Sequence, residues 1–114
     1  MEPFRIAIPD AVLDDLRQRI DHTRWPLDPD NADWGYGTNL AYLRELTAYW
    51  RDGFDWRVQE ARINRLDHFR TIIDEVPIHF VHQRGRGPAP LPLIMSHGWP
   101  WTFYILADVP DRQT

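Results

Sequence analysis

A short apolar run leads into His97-Gly98-Trp99-Pro100, a sequence whose residue types could build a turn that does chemistry. Gly98 could adopt a backbone conformation that other residues avoid, and Pro100 removes a donor while fixing the chain direction. Such a turn can leave the Trp99 N–H pointing into open space at a strand's end. A backbone N–H aimed at a cleft is half of an oxyanion hole. An ordinary strand-to-helix turn is the alternative interpretation.

Other pairs of reactive residues are less well placed. Ser96 and His97 look like a nucleophile beside its base, but adjacent strand residues point to opposite faces, and the sequence contains no Gly-x-Ser-x-Gly elbow. Asp55 has a glycine on one side only, so we interpret it as a helix cap. His79 and His82 are three positions apart, which on a strand puts them on opposite faces and disfavours a shared metal ion. We therefore predict no metal site.

Helices must come before this turn, because apolar residues recur at helical spacing through the first half of the chain. Three helices are predicted, each bounded by capping or helix-breaking residues. The predicted caps and ends are Asp10 and Pro26 for the first helix, Thr38 or Asn39 and Gly53 for the second, and Asp55 for the third.

The period changes to that of strands after residue 68. Apolar residues alternate over 69–73 and again over 78–82, which predicts a β-hairpin joined at Asp74-Glu75. A glycine-rich loop follows, and the run over 91–96 then predicts a strand buried on both faces, because its apolar residues do not alternate. The predicted order is a helical meander, a hairpin and a buried strand, which is an α/β arrangement.

Composition narrows the function classes. The sequence contains no cysteine, and all 13 basic residues are arginines interspersed among acids, with a net charge of −4. These features argue against disulfides, thiolate metal sites and a nucleic-acid partner. No apolar run in the sequence approaches the ~20 residues of a membrane span. No signal peptide is apparent, and we expect a soluble cytoplasmic protein without a membrane partner.

A series of short motifs precedes the His-Gly-Trp-Pro turn in a specific order. They are Thr23-Arg24-Trp25-Pro26, Trp34-Gly35-Tyr36-Gly37, Tyr49-Trp50, Phe54-Asp55-Trp56-Arg57 and Ile78-His79-Phe80-Val81-His82. The series resembles the N-terminal region of the microsomal-type epoxide hydrolases, over about residues 3 to 106. Aromatic residues in these motifs could line a ligand cleft, although packing of the meander onto a larger body is the more common use of such residues.

The resemblance implies an α/β-hydrolase fold and hydrolysis of a small-molecule epoxide to a diol, without a cofactor. In that family an Asp forms an ester with the substrate, and a His activates the water that hydrolyses the ester. The resemblance assigns the Trp99 N–H to the oxyanion hole, with His97, Gly98 and Pro100 shaping the turn. It places the nucleophile, the base and two lid tyrosines outside this chain, so the 114 residues alone are expected to be inactive.

The resemblance also suggests boundaries. Residues 1–107 correspond to the N-terminal region, with the meander over 1–66 and the first core strands over 67–107, while 108–114 look like an aberrant or frayed end. We therefore expect an incomplete N-terminal segment. A non-catalytic remnant or interaction module derived from the family is the alternative, and a homo-oligomer is left open. The family has Gly where this chain has Glu75, so the hairpin must avoid positive φ there or bear strain.

Overall fold

The computed structural model describes residues 1–27 and 30–107 and divides the chain into two compact units. Residues 7–56 form the first unit, which is helical. Residues 1–6 and the described residues from 57 onward form the second, which contains the sheet and the His-Gly-Trp-Pro turn. The predicted end segment, 108–114, lies outside the described residues.

The helical unit contains α1 (Asp10–Asp21) and α2 (Leu40–Asp52). The prediction that Asp10 caps α1 is wrong, because the helix starts one residue earlier than expected and Asp10 is its first residue. Pro9 occupies the cap position, and its carbonyl accepts hydrogen bonds from the N–H groups of Val12 and Leu13. The Asp10 carboxylate still lies in the first turn, where negative charge favours the helix dipole.

The structure decides between the two caps considered for α2. The side chain of Asn39 accepts a hydrogen bond from the Tyr42 N–H at 2.9 Å, and Gly53 ends the helix as predicted. Arg51 near the end of α2 forms ion pairs with Asp21 on α1 and with the adjacent Asp52.

The sheet unit contains α3 (Trp56–Ile63) and three antiparallel strands in the order β1 (Glu2–Pro3), β2 (His68–Ile73) and β3 (Val76–Val81). α3 begins directly after Asp55, as predicted. β1 escapes sequence analysis because two residues are too few to show a period. The Asn64 side chain stabilises its connection, accepting from the Ile6 N–H at 3.0 Å and donating to the Ile6 carbonyl at 2.7 Å.

The predicted hairpin is confirmed, with a two-residue turn at Asp74-Glu75. Ile73 pairs with Val76 across the turn. Both turn residues have positive φ, 48° for Asp74 and 67° for Glu75, as a type I′ turn requires. A side chain in this region costs roughly 1–2 kcal/mol relative to the right-handed region. The hairpin therefore does not avoid positive φ at Glu75, and the backbone there bears the strain.

The buried strand predicted over 91–96 is wrong for this chain. The segment joins no ladder among the described residues, and its side chains are largely in solvent: Leu91 is 91% and Ile94 is 96% exposed. A strand that is apolar on both faces needs neighbouring strands and covering layers. The sheet of the described residues ends at β3, so the described residues supply neither.

The apolar core of the described residues is small. Ile63 is the one hydrophobic residue that is buried in this part of the chain. On one face of the hairpin, the side chains of Ile73, Val76 and Ile78 are between 39% and 57% exposed. The hydroxyl of Tyr104 is buried without a hydrogen-bond partner in this part of the chain, which is uncommon in complete folds. Among the described residues no helix has the length and apolarity to cross a membrane.

Replacing Glu75 with glycine should stabilise the hairpin. The substitution removes the left-handed strain of a side chain, offset in part by the greater entropy that glycine loses on folding, for a net gain of roughly 0.5–1 kcal/mol. Slower hydrogen exchange of the β2 and β3 amides would measure the gain. Glu75→Ala is the control, because it removes the same carboxylate but keeps the strain, and an equal gain in that variant would contradict the explanation.

Candidate functional site

The His-Gly-Trp-Pro sequence forms a tight turn from Gly98 to Trp101. The Trp101 N–H donates to the Gly98 carbonyl at 2.9 Å, and the peptide bond between Trp99 and Pro100 is cis. A cis-proline at the third position is the defining feature of a type VI turn.

The prediction that Gly98 adopts a backbone conformation that other residues avoid is wrong. Its φ lies outside the left-handed region, which the structure reserves for Gly37 and Gly87 among the described glycines. A Cβ atom built on Gly98 would meet no atom within 4 Å. The turn is closed by the hydrogen bond from Trp101 to Gly98, and it does not require the left-handed conformation that favours glycine at Gly98.

Trp99 projects from the turn. Its side chain is 94% exposed, and its backbone N–H donates no hydrogen bond within residues 1–27 and 30–107. The His97 ring lies beside the turn, with Nδ1 at 3.4 Å from the Gly98 carbonyl oxygen. At that length the contact is a weak hydrogen bond at best. The Ser96 hydroxyl donates to the His97 carbonyl at 3.3 Å, so Ser96 and His97 form no nucleophile–base pair.

The chain leaving the turn is held by a short 3-10 helix, Phe103–Leu106. Thr102 caps it, its hydroxyl accepting from the Tyr104 N–H at 3.3 Å. The Phe103 ring packs edge-on against the imidazoles of His68 and His79, with centroid distances of 5.7 and 4.8 Å. Phe103 thus anchors the segment after the turn to β2 and β3.

The two imidazoles form a hydrogen-bonded pair. His68 is 5% exposed, and its Nε2 lies 2.9 Å from the Ile63 carbonyl oxygen, while its Nδ1 lies 3.0 Å from Nε2 of His79. A carbonyl only accepts, so His68 carries its proton on Nε2 and its Nδ1 accepts. His79 must then donate from Nε2. This assignment makes the His68 ring neutral.

The environment of His79 favours the neutral form. Burial of the ring lowers the pKa of His79 below its ordinary value, and repulsion by Arg70, and by His68 whenever that ring is charged, lowers the pKa further. The centroids of the Phe4 and His79 rings are 5.5 Å apart. The Arg70 guanidinium lies over the Phe4 ring, 3.7 Å from its centroid.

In the sequence, the histidine considered together with His79 is His82, and their spacing on a strand disfavours a shared metal ion. The structure puts His82 near Phe69, 6.2 Å between ring centroids, on the opposite face from His68 and His79. Within the described ranges, no cluster of three or more His, Cys, Asp or Glu residues could hold a metal ion. The signal that was missed is the register, since the turn at 74–75 makes His68 and His79 diagonal neighbours on one face.

The comparisons with known proteins agree on one family. The family model described as epoxide hydrolase N terminus matches residues 1–106. A putative epoxide hydrolase of Stigmatella aurantiaca is 45% identical over 98 residues, which are 86% of this chain and 22% of that protein. Epoxide hydrolase 1 of Oryctolagus cuniculus is 40% identical over 108 residues, covering 91% of this chain and 24% of the relative.

A solved structure agrees with these sequence matches. The Aspergillus niger epoxide hydrolase has a TM-score of 0.86 and 29% identity, covering 99% of this chain and 31% of that structure. The predicted α/β-hydrolase class is confirmed by this similarity. The chain spans about a quarter of the length of the curated relatives named here.

The geometry of the turn predicts that Gly98→Ala leaves it intact. The new Cβ enters open space, and the backbone already has a conformation that alanine tolerates. The Trp101 amide should keep the low temperature dependence of its proton shift, which reports its hydrogen bond to Gly98. Pro100→Ala serves as the comparison, because it frees the φ angle that proline fixes and adds a backbone N–H. Loss of the Trp101 bond in Gly98→Ala would show that glycine is required there.

Proposed function

The chain belongs to the epoxide hydrolase family, and we propose that it is the N-terminal part of an epoxide hydrolase, contributing the Trp99 N–H to the oxyanion hole. The observation that carries this proposal is the turn itself: the Trp99 N–H has no acceptor among the described residues, in a turn closed by Trp101 and followed by an anchored helix. The family membership says which chemistry such a donor would serve.

The reaction is the hydrolysis of an epoxide to a vicinal diol in two steps. An Asp carboxylate oxygen attacks one ring carbon, the carbon–oxygen bond of the ring breaks, and the released oxygen takes a proton. Water activated by a His then attacks the ester carbonyl, and the ester bond breaks to release the diol. The Trp99 N–H stabilises the oxyanion of this second step, together with a second N–H beyond this chain.

The remaining residues of the family's catalytic set must come from outside the 114 residues. The chain spans 22–24% of its curated relatives, and its apolar surface supports contact with a larger body. The exposed segment 91–96, the open hairpin face and the unpaired Tyr104 hydroxyl are groups that such a body would cover or satisfy. The substrate is a small-molecule epoxide.

A second candidate function is a non-catalytic module that docks on another protein. The same exposed apolar residues favour it, because large apolar patches on soluble proteins mark interaction sites. The two candidate functions differ in the effect that this chain should have on a catalytic core of the family. The enzyme hypothesis requires that this chain restore turnover to a family core lacking its own N-terminal region, whereas a docking module need only bind.

The decisive experiment appends to Leu106 the residues that follow the matched region in the Stigmatella aurantiaca relative. The peptide N–H of Trp99 is then replaced by an ester oxygen, using the α-hydroxy analogue of tryptophan, so that only the donor is lost. Hydrolysis of the covalent ester should slow roughly a hundred- to a thousandfold, equivalent to about 2.7–4 kcal/mol. Mass spectrometry of the quenched enzyme should show added substrate mass.

Trp99→Phe is the matched control, because it changes the side chain and keeps the N–H. It should retain most of the rate of ester hydrolysis. The chain of 114 residues without the appended core should not turn over an aryl epoxide, since it lacks the nucleophile. Normal turnover in the backbone-ester variant, with no trapped intermediate, would show that the oxyanion hole is not built at Trp99.

A further inference from the structure

Five elements of the sheet unit meet at the His68–His79 pair. The Ile63 carbonyl at the end of α3 accepts from His68, Phe4 beside β1 packs on His79, and Phe103 of the 3-10 helix packs on both rings. The pair itself joins β2 to β3 on one face of the hairpin. The chain just after the turn therefore rests on two imidazoles.

Protonation of both rings would remove the hydrogen bond that joins this pair. The Nδ1 atom of His68 accepts the His79 proton, so protonation of His68 would put two N–H groups face to face at 3.0 Å. Protonation of His79 alone, on its other nitrogen, would leave the hydrogen bond to His68 in place. When both rings are charged, the hydrogen bond between them cannot form and the rings must separate.

We propose that His68 and His79 are positioning residues that form a proton-sensitive clamp, holding Phe103, and with it the turn that carries Trp99, until both rings are charged. The meaning of the clamp for catalysis rests on the proposed function, because the turn matters only if the Trp99 N–H is an oxyanion donor. The clamp itself is a property of this chain and is testable without any activity.

The charged groups around His79 strengthen the response. Arg70 lies directly opposite His79 on β2, and Glu2 lies beyond Arg70 on β1, on the same face by register. Among the contacts from other elements, Phe4, the Ile63 carbonyl and Phe103 do not titrate. Arg70 is the nearest fixed charge and repels a cation on His79, whereas Glu2 is one strand further away and partly offsets that repulsion.

The sign of the pH effect follows from the lowered pKa of His79. The folded chain binds fewer protons at this site than the unfolded chain, whose His has the ordinary pKa of 6.5. The stabilisation is complete above that value and is lost as the pH falls through the lower pKa of the folded state. The clamp is therefore closed at neutral pH and opens as the pH falls through the folded-state pKa of His79.

The test is NMR on the 114-residue chain, starting at about pH 7.5 and lowering the pH until the imidazole nitrogen shifts show both rings charged. At the higher pH, imidazole nitrogen shifts should show His68 protonated on Nε2, and NOEs should join the Phe103 ring to both imidazoles. At the lower pH those NOEs should disappear, and the backbone of residues 103–106 should gain fast motion in the heteronuclear NOE.

Two variants separate a proton-sensitive clamp from ordinary packing. His79→Gln keeps an N–H donor where Nε2 lies but does not titrate, so the Phe103 contacts should survive at the lower pH. His82→Gln removes a histidine from the opposite face and should leave the pH response unchanged.

Three results would overturn the proposal. The first is persistence of the Phe103 contacts while both imidazoles become charged, and the second is absence of those contacts at the higher pH. The third is their loss at both pH values in His79→Gln, which would reduce the pair to a packing role. None of these results bears on the backbone-ester experiment at Trp99, so the clamp and the proposed function can fail separately.

Discussion

The register of the β2–β3 hairpin is the constraint on which the rest of the sheet unit depends. A turn of two residues at Asp74-Glu75 leaves one way for the strands to pair, and a slip of a single residue would send every side chain to the other face. That register puts His68 and His79 diagonally on one face and stacks Phe69 against Phe80 on the other. The imidazole face then binds Phe103 and fixes where the chain after the turn can go. The two-residue turn that fixes this register has positive φ at Asp74 and Glu75, and the backbone is strained there.

The surface of the sheet unit reflects a fold that buries little on its own. A strand that is apolar on both faces is stable only between two other layers, and the described residues offer the 91–96 segment neither a paired edge nor a cover. In the relatives, about three quarters of the length lies outside the matched region. Exposed apolar residues, an open hairpin face and an unpaired buried hydroxyl at Tyr104 all fit a unit that packs against such a region.

The candidate catalytic group belongs to the backbone, which explains how the site is built. A backbone N–H is present at every residue except proline, so its usefulness depends on direction and on freedom from other acceptors. The turn from Gly98 to Trp101 sets that direction, and the 3-10 helix with its Phe103 anchor sets where the turn lies. The side chains that matter most for such a donor are therefore ones that never touch it, the two imidazoles among them.

Local patterns in the sequence determined the helices, the hairpin and its turn, because caps, periodicity and turn residues act within a few positions. The order of the short motifs that end at residues 97–100 also indicated the family. Tertiary structure alone decided the two-residue strand β1, the choice of Asn39 as a cap and the pairing of His68 with His79, since each depends on residues distant in sequence or on competing geometries. Burial of the 91–96 segment was mispredicted for the same reason: an apolar run shows what a strand would need, and only its neighbours in space can supply it.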